Sequence, residues 1–230
     1  MTHTRVLFTA VVLAVAAACG GGGDATGPAV SRNNPGTGTG TLKVTADIDA
    51  SSVPGGMNTD FTVSLRDGLG NKVSGATVNV SNPSLGTVTL TESGASTGDY
   101  FNTRLSFPPG DFKLTVVRGT DNAQGVVLGG PDVHSMIAPV AGSVATAGQP
   151  MTVRWSVPSR AKSAILETRD FGPLALPDTG AYVIAGANNP ANSSQRVRLS
   201  RYNEVDIAGG LPGSRLRVTI KHTVEPINVR

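Results

Sequence analysis

Alternation of apolar and polar residues runs through the chain from residue 42 onward and constrains its fold more than any other feature. The stretch LKVTADID, residues 42–49, places Leu, Val, Ala and Ile on one side of an extended chain and Lys, Thr and two Asp on the other. The same period of two returns in FTVSLRD at 61–67 and later in ATVNVS, GTVTLTE and FKLTVVRG. Successive side chains of a β-strand point to opposite faces. The pattern therefore predicts half-buried strands, each with one face on a core and the other in water.

Turn-forming residues separate these strands at short intervals. The composition agrees, because the chain has 29 glycines and 15 prolines while charged residues make up only 15% and aromatic residues 4%. Roughly seven strands in about 90 residues predict two sheets packed face to face, as in an immunoglobulin-like sandwich. The turns are expected at Val53–Gly56, Asp67–Asn71, Asn82-Pro83, Ser93-Gly94 and Pro108–Gly110.

The strand pattern restarts after the segment GGPDVH at 129–134. Residues 151–157, MTVRWSV, alternate again and carry Trp155 at mid-strand, where a sandwich core buries a large ring. We therefore predict an all-β chain with two immunoglobulin-like β-sandwich domains, 41–130 and 131–230. Further strands are expected in SAILETR, AYVIAG, QRVRLSR, EVDIAG and SRLRVTIKHTV.

The first forty residues differ in character from the rest. Arg5 is followed by the uncharged stretch VLFTAVVLAVAAA at 6–18. This length suits the apolar core of a signal peptide and falls short of the roughly 17 residues that a membrane-spanning helix needs. We expect a signal peptide at 1–18, then Cys19 and a flexible Gly-rich linker, together residues 19–40. Cys19 is the only cysteine, so no disulfide within the chain can explain it.

The segment Ala16-Ala17-Ala18-Cys19 resembles the lipobox of bacterial lipoproteins, with Ala16 where that family usually has Leu. The resemblance implies a diacylglyceryl group on the Cys19 thiol and cleavage just before this residue. Gly20 follows, where Asp would imply retention at the inner membrane, so the implied location is the outer membrane of a bacterial cell envelope. An ordinary cut after Ala18 would instead leave a secreted protein with a free N-terminal thiol.

Two stretches of the first predicted domain resemble bacterial Ig-like domains of the invasin and intimin type. These are VSLRDGLGNKVSGATVNVSNPSLGTVTL at 63–90 and, for the last strands of such domains, GDYFNTRLSFPPGDFKLTV at 98–116. Residues 134–155 are similar to the opening of fibronectin-III-like or cell-wall Ig-like domains. The resemblance implies spacer, stalk or adhesive units without catalytic residues. The positions that match the first motif are Asp67, Gly70, Asn71, Val73, Gly75 and Val78.

One short sequence matches a catalytic motif, GASTG at 94–98, which fits G-x-S-x-G with Ser96 as nucleophile. In hydrolases that motif joins a strand to a helix, whereas here strand patterns lie on both sides, so a hairpin loop is expected. His134 and His222 are expected at the surface, and neither has a second His or Cys at the spacing of metal ligands. We therefore predict no enzyme activity, no metal and no cofactor.

The sparse carboxylates leave two further alternatives. Acids near a domain junction could bind calcium, but the spacing of an EF-hand loop is absent. Pairs of acids could cleave glycosides, but few aromatic residues are present to stack a sugar ring. The first set is Asp47, Asp49 and Asp67, and the second is Glu167 with Asp170 or Glu204 with Asp206.

Charge is distributed unevenly along the chain. The formal net charge is only +3, and no basic residues cluster with aromatic ones, so a nucleic-acid partner is not expected. From residue 131 onward basic residues outnumber acidic ones. We take Arg196, Arg198, Arg215 and Arg217 as a possible binding face, and the alternative is that they are ordinary solvated strand positions.

The sequence as a whole favours a membrane-anchored surface lipoprotein with non-catalytic Ig-like modules. Its expected partners are the membrane, through the N-terminal lipid, and an unidentified envelope protein or polysaccharide bound in adhesion or assembly. Two alternatives stay open. One is a passive structural stalk or assembly subunit, and the other is an accessory subunit of a hydrolase.

Overall fold

The computed structural model describes residues 33–127, 129–159 and 161–230. These residues form sixteen β-strands and one short 3-10 helix, Gly186–Asn188, so the predicted all-β class is confirmed. None of the helical segments in the described part of the chain has the length and hydropathy that crossing a membrane requires. The predicted signal peptide, Cys19 and residues 20–32 lie outside the described residues.

Strands β1 to β8 form the first sandwich. One sheet has the order β1-β8-β7-β4-β5, the other contains β6-β3-β2, and β5 pairs with both β4 and β6. This connectivity is that of an immunoglobulin-like domain. The strands are β1 Asn33–Gly38, β2 Lys43–Val53, β3 Gly56–Arg66, β4 Thr77–Asn82, β5 Gly86–Glu92, β6 Asp99–Arg104, β7 Phe112–Arg118 and β8 Asp121–Val127.

Strands β9 to β16 form the second sandwich, which also has immunoglobulin-like connectivity. A three-stranded sheet, β14-β11-β9, faces the strands β16-β15-β12-β13. Strand β10 pairs in parallel with the C-terminal end of β16. Trp155 is buried between them, as predicted. The strands are β9 Met136–Ala138, β10 Val144–Ala145, β11 Met151–Trp155, β12 Ser163–Thr168, β13 Leu174–Leu176, β14 Ala181–Ile184, β15 Asn192–Asp206 and β16 Arg215–Val229.

The hairpin of β15 and β16 belongs to both sandwiches. Each strand has 15 residues, and the first half of β16 pairs in parallel with β2, from Arg215 opposite Thr45 to Lys221 opposite Ser51. The predicted limits, 41–130 and 131–230, therefore do not separate the two cores. The hairpin places Val205, Ile207, Leu216 and Val218 in the first core and Val197, Leu199, Val224, Ile227 and Val229 in the second.

The predicted flexible linker is wrong in its last residues. β1 occupies 33–38 and pairs antiparallel with β8 at the edge of the first sandwich. Its glycines allow a close approach to neighbouring backbone. A Cβ on Gly38 would lie 2.4 Å from the carbonyl oxygen of Asn122 and 2.5 Å from that of Gly209.

A buried ion pair lies in the second sandwich, next to the segment that joins it to the first. Arg201 on β15 and Asp178 are both fully buried, and the guanidinium Nη2 lies 2.7 Å from Asp178 Oδ2. The same carboxylate accepts hydrogen bonds from Trp155 Nε1 and from the Ala161 amide, both at 2.8 Å. Burial alone would raise the pKa of Asp178, but the bonds from Arg201, Ala161 and Trp155 outweigh it and hold the pKa below its usual value.

The segment between the sandwiches is bound to the same strand. The Arg201 guanidinium donates to the carbonyl oxygens of Asp132, at 3.1 Å, and Ser159. Two residues along β15, the side-chain amide of Asn203 donates to the Gly129 carbonyl at 2.8 Å. The junction is therefore a packed, hydrogen-bonded region of the molecule.

Candidate binding face

The four arginines singled out by the sequence all lie on one face of one sheet. Arg196 and Arg198 are on β15, and Arg215 and Arg217 are on β16. Their neighbours in sequence point inward and are buried, so the arginines point outward. We call the outward side of the consecutive strands β6-β3-β2-β16-β15-β12 the outer face. It crosses both sandwiches without a break in strand order.

Each of these arginines has a carboxylate partner. Arg215 contacts both oxygens of Asp47, at 2.6 and 3.0 Å, and Arg217 lies 2.6 Å from Glu204. Burial lowers the pKa of Arg215, but the bonds to Asp47 outweigh it and raise the pKa above its ordinary value. The remaining pairs are Arg196 and Arg198 with Glu167, at 3.5 and 2.9 Å, and Lys221 with Asp49, at 2.9 Å.

The outer face is therefore a network of alternating charges and not a basic patch. Its side chains are about a fifth to a third exposed, and pairs of this kind stabilise a fold by only about 0–1 kcal/mol each. An anionic partner would have to compete with the carboxylates already in place. The face is better suited to a partner that carries little net charge.

A shallow groove opens on the outer face beside this network. It has a volume of about 380 Å³ and runs across β2, β3 and β6. Phe101 lies at one side of it and is 50% exposed. Strand register places Phe101 opposite Thr62, and Thr62 opposite Asp47. The sequence identified Phe101 only as part of a strand, because nothing in its local pattern distinguishes an exposed aromatic side chain from a buried one.

Ser96 lies in the turn between β5 and β6 and has a φ of +59°. The chain after it forms strand β6 and not a helix, so the strand-to-helix geometry of a hydrolase nucleophile is absent from this turn. The turn is held by Glu92, whose carboxylate accepts hydrogen bonds from the amides of Gly98 and Gly75. These bonds, first that of Gly98, lower the pKa of Glu92.

The two histidines meet at the junction of the sandwiches, with ring centroids 5.7 Å apart. The expected surface position of His134 is wrong, because its side chain is almost fully buried and neither ring nitrogen has a hydrogen-bond partner. Burial, together with the positive charge of Arg201 and the nearby His222, lowers the pKa of His134 to about 3. His134 is therefore neutral at ordinary pH.

Most of the acidic residues considered for calcium or glycoside chemistry are held by hydrogen bonds or ion pairs. Asp67 accepts bonds from the Leu69 amide and from the Asn71 amide and side chain, which lower its pKa, the Asn71 side chain most. Asp170 accepts bonds from Asn192 and Gln195. In the described ranges, no three His, Cys, Asp or Glu side chains come together as metal ligands would.

Comparison with known proteins gives fold-level likenesses only. No family model and no curated protein matches the sequence. Similar solved structures include the fibronectin(III)-like modules of CbhA from Clostridium thermocellum, at 10% identity over 78% of this chain and 92% of that one, with a TM-score of 0.26.

Two further solved structures are similar at the same level. The adhesin InvE of Yersinia pseudotuberculosis is 18% identical over 80% of this chain, which spans 60% of that protein, with a TM-score of 0.26. Tandem immunoglobulin domains of titin are 8% identical over 85% of this chain and 99% of that one, with a TM-score of 0.27. Likenesses this distant carry no argument about function.

Proposed function

We propose that this protein is a non-catalytic lipoprotein of the bacterial cell envelope, anchored through Cys19, whose outer face binds an envelope protein or polysaccharide. The observation that supports it best is the continuity of that face across both sandwiches. Six neighbouring strands spaced about 4.8 Å apart give a surface roughly 24 Å wide, and the parallel pairing of β16 with β2 joins its two halves in one sheet.

The position of β1 favours a binding module over a passive stalk. β1 starts opposite Val127, which is where the chain leaves the first sandwich for the second. A tether reaching Asn33 would therefore attach near the middle of the molecule, while a stalk is held at one end. Attachment at that point leaves the outer face accessible beside a membrane.

Anchorage is tested by replacing the lipidated residue. The Cys19→Ala protein should move from the membrane pellet to the soluble fraction of cells, because it cannot carry the acyl chains. The unchanged chain, fractionated in parallel, is the control. A variant that still pellets with membranes would overturn the anchor.

Binding through the outer face is tested by capture from an envelope extract with the soluble Cys19→Ala protein. The double variant Arg198→Gln with Arg217→Gln should retain less of the captured partner than the parent does. A matched control is Lys113→Gln with Arg118→Gln on β7, in the opposite sheet of the first sandwich. Equal loss in both variants, or loss in neither, would reject the outer face as the binding surface.

A further inference from the structure

The groove beside Phe101 contains one exposed aromatic ring among hydroxyl groups. Phe101 is the most exposed aromatic side chain in the described part of the chain. The groove is open to solvent along β2, β3 and β6, and four of its lining residues are serines or threonines: Thr45, Thr62, Ser64 and Ser93. An apolar ring bordered by hydroxyls matches a ligand with one apolar face and a polar edge.

The two carboxylates of the groove are already paired with cations. Asp47 is paired with Arg215, and Asp99 lies 3.2 Å from Arg66 and 4.0 Å from Lys72. The pKa of Asp99 is lowered, first by its hydrogen bond from Ser64 and then by Arg66, so it stays ionised at neutral pH. Each carboxylate oxygen can accept more than one hydrogen bond, so both groups can still accept from a ligand.

This pairing selects against charged ligands. An incoming cation or anion would lose its hydration without meeting an unmatched opposite charge, which is unfavourable. An uncharged ligand rich in hydroxyls loses less hydration free energy on binding, and it can donate hydrogen bonds to Asp47 and Asp99. A pyranose ring meets all of these conditions, because one of its faces presents C–H groups to an aromatic ring while its hydroxyls lie around the edge.

We propose that the groove beside Phe101 binds uncharged sugar residues of an envelope polysaccharide, with the Phe101 ring against one sugar face and the carboxylates of Asp47 and Asp99 accepting from its hydroxyls. This inference deepens the proposed function by assigning one of its two partner classes to a defined place on the outer face. It rests on that function for the source of the polymer, whereas binding of the sugar itself is testable alone.

The test uses the full chain in a zwitterionic detergent that has no sugar head group. Neutral gluco-, manno- and galacto-oligosaccharides of six residues are titrated by calorimetry, with oligogalacturonate as an anionic comparison. At least one neutral oligosaccharide should bind, and oligogalacturonate should bind at least tenfold more weakly. Absence of binding across the neutral series, or preference for the anionic sugar, would overturn the proposal.

The side-chain test compares three variants that retain the fold, as verified by their melting temperatures. Phe101→Ala and Phe101→Leu should each weaken binding at least tenfold, because leucine keeps apolar area but lacks the ring. Leu105→Ala should leave affinity unchanged, because Leu105 is 85% exposed just beyond the end of β6 and does not line the groove. Full affinity in Phe101→Leu would show that the ring does not contact the sugar and would reject the site.

Failure of this proposal and failure of the proposed function give different results. Loss of sugar binding with partner capture retained would reject the groove alone. Sugar binding that persists while Cys19→Ala still pellets with membranes would reject the anchor alone.

Discussion

Arg201 and Asp178 show how much one residue pair contributes to the arrangement of this molecule. Both side chains are fully buried, yet Asp178 also accepts hydrogen bonds from Trp155 and Ala161, and Arg201 donates to the carbonyl oxygens of Asp132 and Ser159. Removing either member of such a buried ion pair strongly destabilises the fold, because the remaining charge stays buried without a counter-charge.

Asp178→Asn should destabilise the full chain by about 3–5 kcal/mol. The amide keeps the shape of the carboxylate but leaves the Arg201 charge unpaired. Urea unfolding monitored by tryptophan fluorescence measures this loss of stability, since Trp155 donates a hydrogen bond to Asp178. Glu225→Gln is the matched control, because it removes the Arg169 pair, whose side chains are nearly half exposed, and should cost less than about 1 kcal/mol. Similar costs in the two variants would contradict this account of the junction.

His134 makes stability depend on pH. Its pKa is about 3 in the folded protein against a reference value of 6.5, so between these values the unfolded chain binds more protons. The free energy of unfolding is therefore highest above pH 6.5. It falls as the pH decreases towards 3, by about 2 kcal/mol at pH 5. Arg201, Asp178 and His222 are the charged and titratable groups that act on it.

The measurement compares urea unfolding at pH 7 and pH 5 in the parent protein and in His134→Leu. Between these two pH values the free energy of unfolding should fall by about 2 kcal/mol more in the parent than in the variant. Carboxylates also titrate in the lower part of this range, and the subtraction removes their contribution because they are common to both proteins. An equal loss in both would mean that His134 is not buried in its neutral form.

At the scale of elements, local alternation predicts strands well but not their partners. The expected strands at 42–49 and 61–67 lie in β2 and β3, with buried and exposed residues alternating as predicted. QRVRLSR and EVDIAG, expected as two strands, belong largely to the single strand β15. The missed strand β1 carries the sequence GTG, which has linker composition, and its need for glycine arises from contacts with β8 and residue 209, more than 80 positions away.

Gly38→Ala should release β1 from the edge of the first sandwich. The new methyl group would meet two carbonyl oxygens at about 2.5 Å, closer than any relaxed contact. Amide hydrogen exchange should become faster in residues 121–127 of β8 and stay unchanged in β2. Gly56→Ala is the control, since a Cβ there meets open space. Unchanged exchange in β8 would show that β1 does not depend on this close approach.

At the scale of the whole molecule, the shared hairpin makes the two sandwiches one folding unit. The first core takes Val205, Ile207, Leu216 and Val218 from the last thirty residues of the chain, and β2 has β16 as its neighbour. No local pattern predicts such an arrangement. The arginines of the outer face illustrate the same limit, because alternation predicts their common direction, while the partner of Arg215 is Asp47, 168 positions earlier.

The fragment 33–130 should not fold stably alone. It would lack four core side chains, each worth about 2 kcal/mol in burial, and β2 would present an unpaired edge that favours aggregation. Circular dichroism and amide NMR dispersion of the fragment, compared with the full chain, test this expectation. The full chain should unfold in one transition. A fragment with dispersed amide signals and a cooperative transition of its own would contradict it.

The same hairpin determines whether the two sandwiches separate after a protease cleaves the segment between them. A cut in the connection at 129–135 would break the covalent link between residues 1–130 and the rest, but the two pieces would stay together. Seven residue pairs between β16 and β2, and the four hairpin side chains in the first core, would still hold them. A nicked molecule would therefore keep its second sandwich attached to the first, and the two pieces would part only after unfolding.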